Sequence, residues 1–207
     1  MSAGSGLADI NSPGSMVVTD AGLETWLVFD HGIDLRWFAA YPLAATEEGR
    51  ALLAEYYGHY ADIARSIGAA VLLDAPTWRA NPDWAEALGE DRVVLSDLIR
   101  AAVGVVADVR RQWTGSQPFL IGGAVGPRGD GYAIGSMMDA DTAAGYHSFQ
   151  ITAMASAGVD VVDALTLGYV DEAVGIARAA EAAGLPVVIS FTVETDGRLP
   201  SQMSLAE

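Results

Sequence analysis

Short runs rich in Val, Ile and Leu recur five times along the chain, separated by longer stretches whose apolar residues have helical spacing. The runs are VVTDAG at 17–22, AAVLLDAP at 69–76, PFLIGGAVG at 118–126, VDVVDALT at 159–166 and LPVVISFT at 185–192. They are nearly continuous rather than alternating, the pattern of strands covered on both faces, and so predict a parallel sheet. Residues 47–67 place Leu52, Leu53, Tyr56, Tyr57, Tyr60, Ile63 and Ala64 on one broad helical face, and Gly68 ends that helix. Residues 91–112 repeat the pattern through Val94, Leu95, Leu98, Ile99, Val103 and Val106. A third helix begins near Asp139 or Asp141, either of which fits an N-cap, and a fourth runs from about Val170 to Ala183 before Gly184. The intervening stretches read as loops: an aromatic-rich one with Trp26, Phe29, Trp37, Phe38 and Tyr41, then TWRANPDWAEALG, then GPRGDGYAIGSMM.

Strand and helix in regular succession predict an α/β protein, and the form that uses eight such units is the closed (β/α) barrel of TIM type. Five units are visible and the residues up to Glu207 read as the opening of a sixth, so the expectation is a barrel truncated after about five of eight βα units. An open doubly wound sheet is the alternative. Against it, no strand-to-helix turn carries G-x-G-x-x-G, and GGAVGPRGDG has a different spacing. Residues 1–15 are small, polar and turn-prone and read as a flexible extension or linker ahead of a partial barrel at 16–207.

Composition narrows the chemistry. With 207 residues, 51% of them hydrophobic, the chain is long enough for one domain with a real core. Its formal charge of −16 repels phosphate backbones and anionic lipids, so neither nucleic acid nor a membrane surface is an expected partner. All cationic residues are Arg, which leaves no ε-amine for a Schiff base or a phosphate-binding loop. There is no Cys, hence no thiolate nucleophile, disulfide or cysteine metal ligand. No stretch approaches the ~18 consecutive apolar residues of a spanning helix, and the N-terminal residues lack the character of a secretory signal, so a cytoplasmic setting is expected.

Polar residues gather at or just beyond the C-terminal ends of the strands, the face that carries catalysis in a barrel: Asp20, Asp74, Thr77, Arg79, Arg128, Asp130, Asp163, Thr166, Ser190 and Thr192. Each also has an ordinary reading, because turns need polar residues. Asp20 either holds a ligand amine or caps backbone amides. Asp74 and Asp163 lie within apolar strands, where an unpaired charge is costly, so Arg79 and Arg128 are their expected partners in a structural or catalytic ion pair. His31, His59 and His147 show no metal-ligand spacing and read as ordinary surface or helix histidines. The aromatic residues of the first loop and helix serve core packing or line a pocket for an apolar or cationic ligand.

Five segments in order carry a likeness: T-D-A-G-L-E-T at 19–25, G-A-A-V-L-L-D-A-P-T-W-R-A-N at 68–81, G-G-A-V-G-P-R-G-D at 122–130, A-G-V-D-V-V-D-A-L-T followed by D-E-A, and I-S-F-T with D-G-R-L. From residue 17 to about 205 the chain resembles the homocysteine S-methyltransferases, which include betaine- and S-methylmethionine-dependent enzymes. The resemblance implies a (β/α)₈ barrel that binds homocysteine or a related amino-acid-like thiol and activates its sulfur on zinc. Zinc is the cofactor expected of the full-length family, held by cysteines of later strands, and this chain has no Cys to hold it.

The same resemblance implies substrate-binding roles for particular residues. Asp20 and Gly22 match the first-strand D-G-G, with Ala21 in place of one glycine; Thr77 and Trp78 match the second-strand T-x-T-F/Y-x-A; Thr166 matches the threonine of the fourth-strand E-T-I-P. Leu165 stands at that motif's glutamate and Gly168 at its proline, and Asp163 is the candidate substitute carboxylate. No catalytic residue is assigned. One functional expectation is the N-terminal part of a zinc-dependent S-methyltransferase with altered acceptor specificity, inactive as the isolated chain. The alternative is a non-catalytic remnant or small-molecule-binding module that forms homo-oligomers to cover an open barrel edge. A lyase with a hard metal on Asp20, Asp74 and Asp163 is a third.

Overall fold

In the computed structural model, which describes residues 14–205, five strands form one sheet in which every neighbouring pair is parallel. They are β1 Val17–Thr19, β2 Ala70–Ala75, β3 Phe119–Val125, β4 Val161–Leu167 and β5 Val187–Phe191. Their spatial order is the sequence order. A doubly wound sheet would reverse direction part-way, so the winding is that of a barrel, and the sheet is a curled half-barrel with its helices on one side. The extension expected at 1–15 lies almost wholly outside the described residues. Among the described residues no helix is long and apolar enough to cross a membrane.

The helices are α1 Leu23–Phe29, α2 Glu47–Ile67, α3 Pro82–Leu88, α4 Arg92–Arg111, α5 Ala140–Ala157 and α6 Val170–Ala182. Local signals set their ends. Thr46 accepts a hydrogen bond from Gly49 N–H at 3.0 Å to open α2, and Gly68 closes it at φ 68°. Asp91 opens α4 by accepting from Val93 and Val94 N–H. Of the two aspartates expected near the start of α5, Asp139 is the cap, accepting from Thr142 N–H at 2.7 Å. Helices α1 and α3 occupy stretches that read as loops in the sequence.

The two faces of the sheet differ sharply. Val71, Leu73, Phe119, Ile121, Val162 and Ala164 face the helices and join Leu53, Tyr57, Ile99, Val103, Ile151 and Met154 in the main core. The opposite, concave face carries a small separate cluster of Ala70 and Leu120 with Val17 and Leu72. Strand alternation puts Asp74 on that face, and the register sets it opposite Gly122. On β5 the concave face is open, with Val188 43% exposed. Among the described residues β1 pairs only with β2 and β5 only with β4, so both outer edges are free.

Candidate functional site

The C-terminal ends of β1 to β4 enclose a cavity of about 350 Å³, lined by Asp20, Gly22, Glu24, Phe38, Asp74, Trp78, Tyr132, Leu165 and Thr166 among others. Asp20 follows directly from β1, and its Oδ1 accepts the Asp74 N–H at 2.8 Å, which ties the first two strand ends together. Gly22 takes φ 73°, a left-handed conformation that lets the chain turn from strand into α1. From α2, the hydroxyls of Tyr56 and Tyr60 donate to Ala21 O at 2.9 and 3.0 Å and hold this turn. Burial pushes the Asp20 carboxyl up to about 6, overcoming the opposing pull of the Asp74 N–H. Burial also raises Glu24, while the Arg79 charge opposes that rise.

The opposite wall is built by Trp78 and Thr166. Trp78 Nε1 donates to Thr166 Oγ1 at 3.2 Å, and the Thr166 hydroxyl donates to Leu165 O at 2.6 Å. Thr166 has φ 59°, a left-handed conformation that is costly for a β-branched residue, and it sits where the β4–β5 register is irregular. These hydrogen bonds hold the strained turn at the cavity wall.

Beneath the cavity lies an acid pair. A methyl group added at Gly122 would overlap both Asp74 Oδ1 and Asp163 Oδ2, so the two carboxyls converge on the space the missing side chain leaves. Neither oxygen has a hydrogen-bond donor. Ionised carboxylates only accept, so a single proton between the two supplies the missing donor. Burial first, then the Asp163 and Asp20 charges, hold Asp74 well above the usual carboxylate range; burial also raises Asp163, while a hydrogen bond from Asp74 pulls it down. The two buried carboxyls therefore share one proton as a pair.

The expected arginine partners are elsewhere. Arg79 lies between the Trp78 and Trp84 rings, 4.2 Å from each centroid, and donates to Gly129 O at 2.8 Å. Arg128 pairs with Asp83 at 2.7 Å. The acids of β2 and β4 thus meet one another instead of an arginine.

Of the residues singled out in the sequence, Asp20, Gly22, Trp78 and Thr166 line the cavity. Thr77 does not: its buried hydroxyl donates to Ala124 O at 2.8 Å, which locks the end of β2 to β3. Asp163 lies behind the cavity, against Asp74. Phe38 is one of the first-loop aromatics read as packing the core or lining a pocket, and it lines this one; Glu24 and Tyr132 are lining residues the sequence reading did not pick out. Glu24 was hidden because α1 read as loop. His147 lies within α5, as its helix reading has it, but on the buried side, with its Nε2 3.0 Å from Glu172 Oε1 and both side chains fully buried. Glu172 Oε1 also accepts the Arg128 N–H at 2.7 Å. Glu172 and Arg128 border a second cavity of about 280 Å³ with Asp83, Asp130 and Tyr169.

The residues present do not fit the expected zinc. The sequence has no Cys, and among the described residues no group of three or more His, Asp or Glu side chains is placed to hold a metal ion. The hard-metal triad of Asp20, Asp74 and Asp163 does not form.

A parallel βα half-barrel with a cavity at its C-terminal strand ends, where Asp20, Asp74 and Thr166 interrupt a mainly apolar lining, defines a protein of the (β/α) barrel class. The chain belongs to the homocysteine S-methyltransferase family, whose sequence profile matches residues 17–207. Among solved structures it is similar to the homocysteine methyltransferase MmuM from Escherichia coli. The metallated form shares 19% identity over 96% of this chain and 70% of that one, with a TM-score of 0.77. The oxidized form shares 18% over 99% of this chain and 70% of that one, with a TM-score of 0.80. At these identities the likeness establishes the fold. No curated protein sequence matches the chain.

Proposed function

We propose that the cavity at the ends of β1 to β4 is the thiol-substrate site of an S-methyltransferase, taking homocysteine or a related amino-acid-like thiol. The observation that carries this reading is the convergence of Asp20, Gly22, Trp78 and Thr166, four positions drawn from three strand ends, on one cavity. The charges of Asp20 and Glu24 favour a cationic ligand in the cavity, and the rings of Phe38, Trp78 and Tyr132 suit the thiol's methylene chain. Zinc, the family's expected sulfur activator, finds no donor set among this chain's described residues. Methyl transfer by the isolated chain is accordingly not expected. The low pI and the lack of a basic run in the sequence favour a small-molecule ligand over nucleic acid, and the setting proposed for it is cytoplasmic.

Calorimetric titration of homocysteine into the 207-residue chain tests the reading. Saturable binding that weakens about tenfold or more in Asp20→Ala supports it, since Asp20 brings a carboxylate to the cavity lining and holds the Asp74 N–H beside it. Failure of the wild-type chain to bind contradicts it. A second reading, a binding module that associates with copies of itself, is favoured by the open concave face at Val188 and the two free sheet edges.

A further inference from the structure

We propose that the Asp74–Asp163 pair on the concave face is the acceptor for the ligand's ammonium group, in place of the family's strand-four glutamate. The inference rests on the cavity being the thiol-substrate site. The position of that glutamate holds Leu165, which lines the cavity and can accept nothing. One inward-facing position earlier on β4, Asp163 supplies a carboxylate, and Asp74 from β2 meets it across Gly122.

Three observations beyond the acidity itself support a ligand role. Asp163 is 4% exposed, yet its Oδ2 and Asp74 Oδ1 find no donor beyond the proton that the two carboxyls share. Asp74 also lines the cavity, so the pair has an open approach from above. Gly122 leaves space where any side chain would displace one of the acids.

The neighbours offer the pair no cation. Asp20 approaches from the end of β1 and Glu24 from α1, both acidic, while Tyr57 of α2 spends its hydroxyl on Asp74 O at 2.7 Å. Arg79 and Arg128 are committed to Trp rings and Asp83. In the free protein a proton fills the gap between the acids. A ligand ammonium brings up to three donors, so it replaces that proton, and binding releases it. The balance is simple: one ammonium enters, one proton leaves to solvent, and the pair keeps both oxygens satisfied.

The test compares homocysteine with its desamino analogue, which keeps the thiol, chain and carboxylate and lacks only the amine. Affinities are measured calorimetrically on wild type, Asp163→Asn and Asp74→Asn, in two buffers of different ionisation enthalpy. Wild type should prefer homocysteine by about tenfold or more, as a charged hydrogen bond requires. Each variant should lose that preference while its affinity for the desamino analogue holds, and proton release should accompany homocysteine binding to wild type alone.

Equal affinity of wild type for the two ligands overturns the proposal and leaves the thiol-site reading standing. Binding of neither ligand overturns both. The wild-type comparison stands even if a variant fails to fold. If the variants fold and keep the full amine preference, the pair is structural and the proposal fails.

Discussion

Asp20 carries two obligations, holding the Asp74 N–H and facing the cavity, and burial makes its charged form expensive. Its carboxyl is raised from 3.8 to about 6 in the fold, so the fold favours the protonated form. The stabilisation linked to that proton is complete below the unfolded value, near pH 4, and is lost as pH rises through about 6, amounting to up to about 3 kcal/mol. Asp74 and Asp163 are shifted the same way and add the same sign. Urea unfolding across this range should therefore show stability falling from about pH 4 to pH 7, and Asp20→Asn should flatten the part centred near 6. A stability that rises over that range in wild type would contradict the assignment. Asp20 and Gly22 stood out in the sequence by their likeness to the first-strand D-G-G, and the fold sets both at the cavity, where Asp20 also holds a backbone amide, the capping duty that its place before a turn allows. The partner of Asp74 was not legible. Strand period tells which face a residue takes, but the lateral neighbour depends on register, and the deciding residue, Gly122, acts by having no side chain.

The long helices were readable because several turns of apolar period, with Thr46, Asp91 and Asp139 as caps, give a consistent signal. Helices α1 and α3 span seven residues each, too few for a period to emerge against loop composition. For α3 the end signals were nonetheless present, with Asn81 capping Trp84 N–H, Pro82 in the first turn and Gly89 at φ 84°. Packing between elements has its own requirements. A Cβ on Gly175 of α6 would strike Ala143 Cβ and the backbone of Ala140 and Ala144 in α5, so this glycine sets how closely the two helices approach. Gly175→Leu should destabilise the chain by about 1–3 kcal/mol or more through overpacking, read from the urea midpoint. Glu172→Ala leaves the buried His147 Nε2 and Arg128 N–H without their acceptor. A loss of about 1–3 kcal/mol per unsatisfied group is expected, together with faster amide exchange in the 126–138 segment. Unchanged exchange there would show that the pair does not hold that segment.

The five-strand order and the concave face follow from apolar runs of the buried parallel type, which is why the barrel winding was legible before any contact was known. What the runs do not encode is how the concave face is covered. That face holds a small apolar cluster, an exposed Val188 and two free edges, a surface that favours association. The 207-residue chain should elute in light-scattering chromatography with a mass that grows with concentration; a constant monomer mass would argue that the half-barrel is self-sufficient.

On the proposed function, a ligand occupies the cavity ringed by Asp20, Gly22, Trp78 and Thr166. Titration of homocysteine into isotope-labelled protein, followed by amide and indole NMR shifts, tests it most directly. Saturable shifts are expected at Asp20 to Leu23, at Asp74 and Trp78, and at Leu165 and Thr166. Shifts confined to the second cavity around Arg128, Tyr169 and Glu172, or none at all, would contradict it.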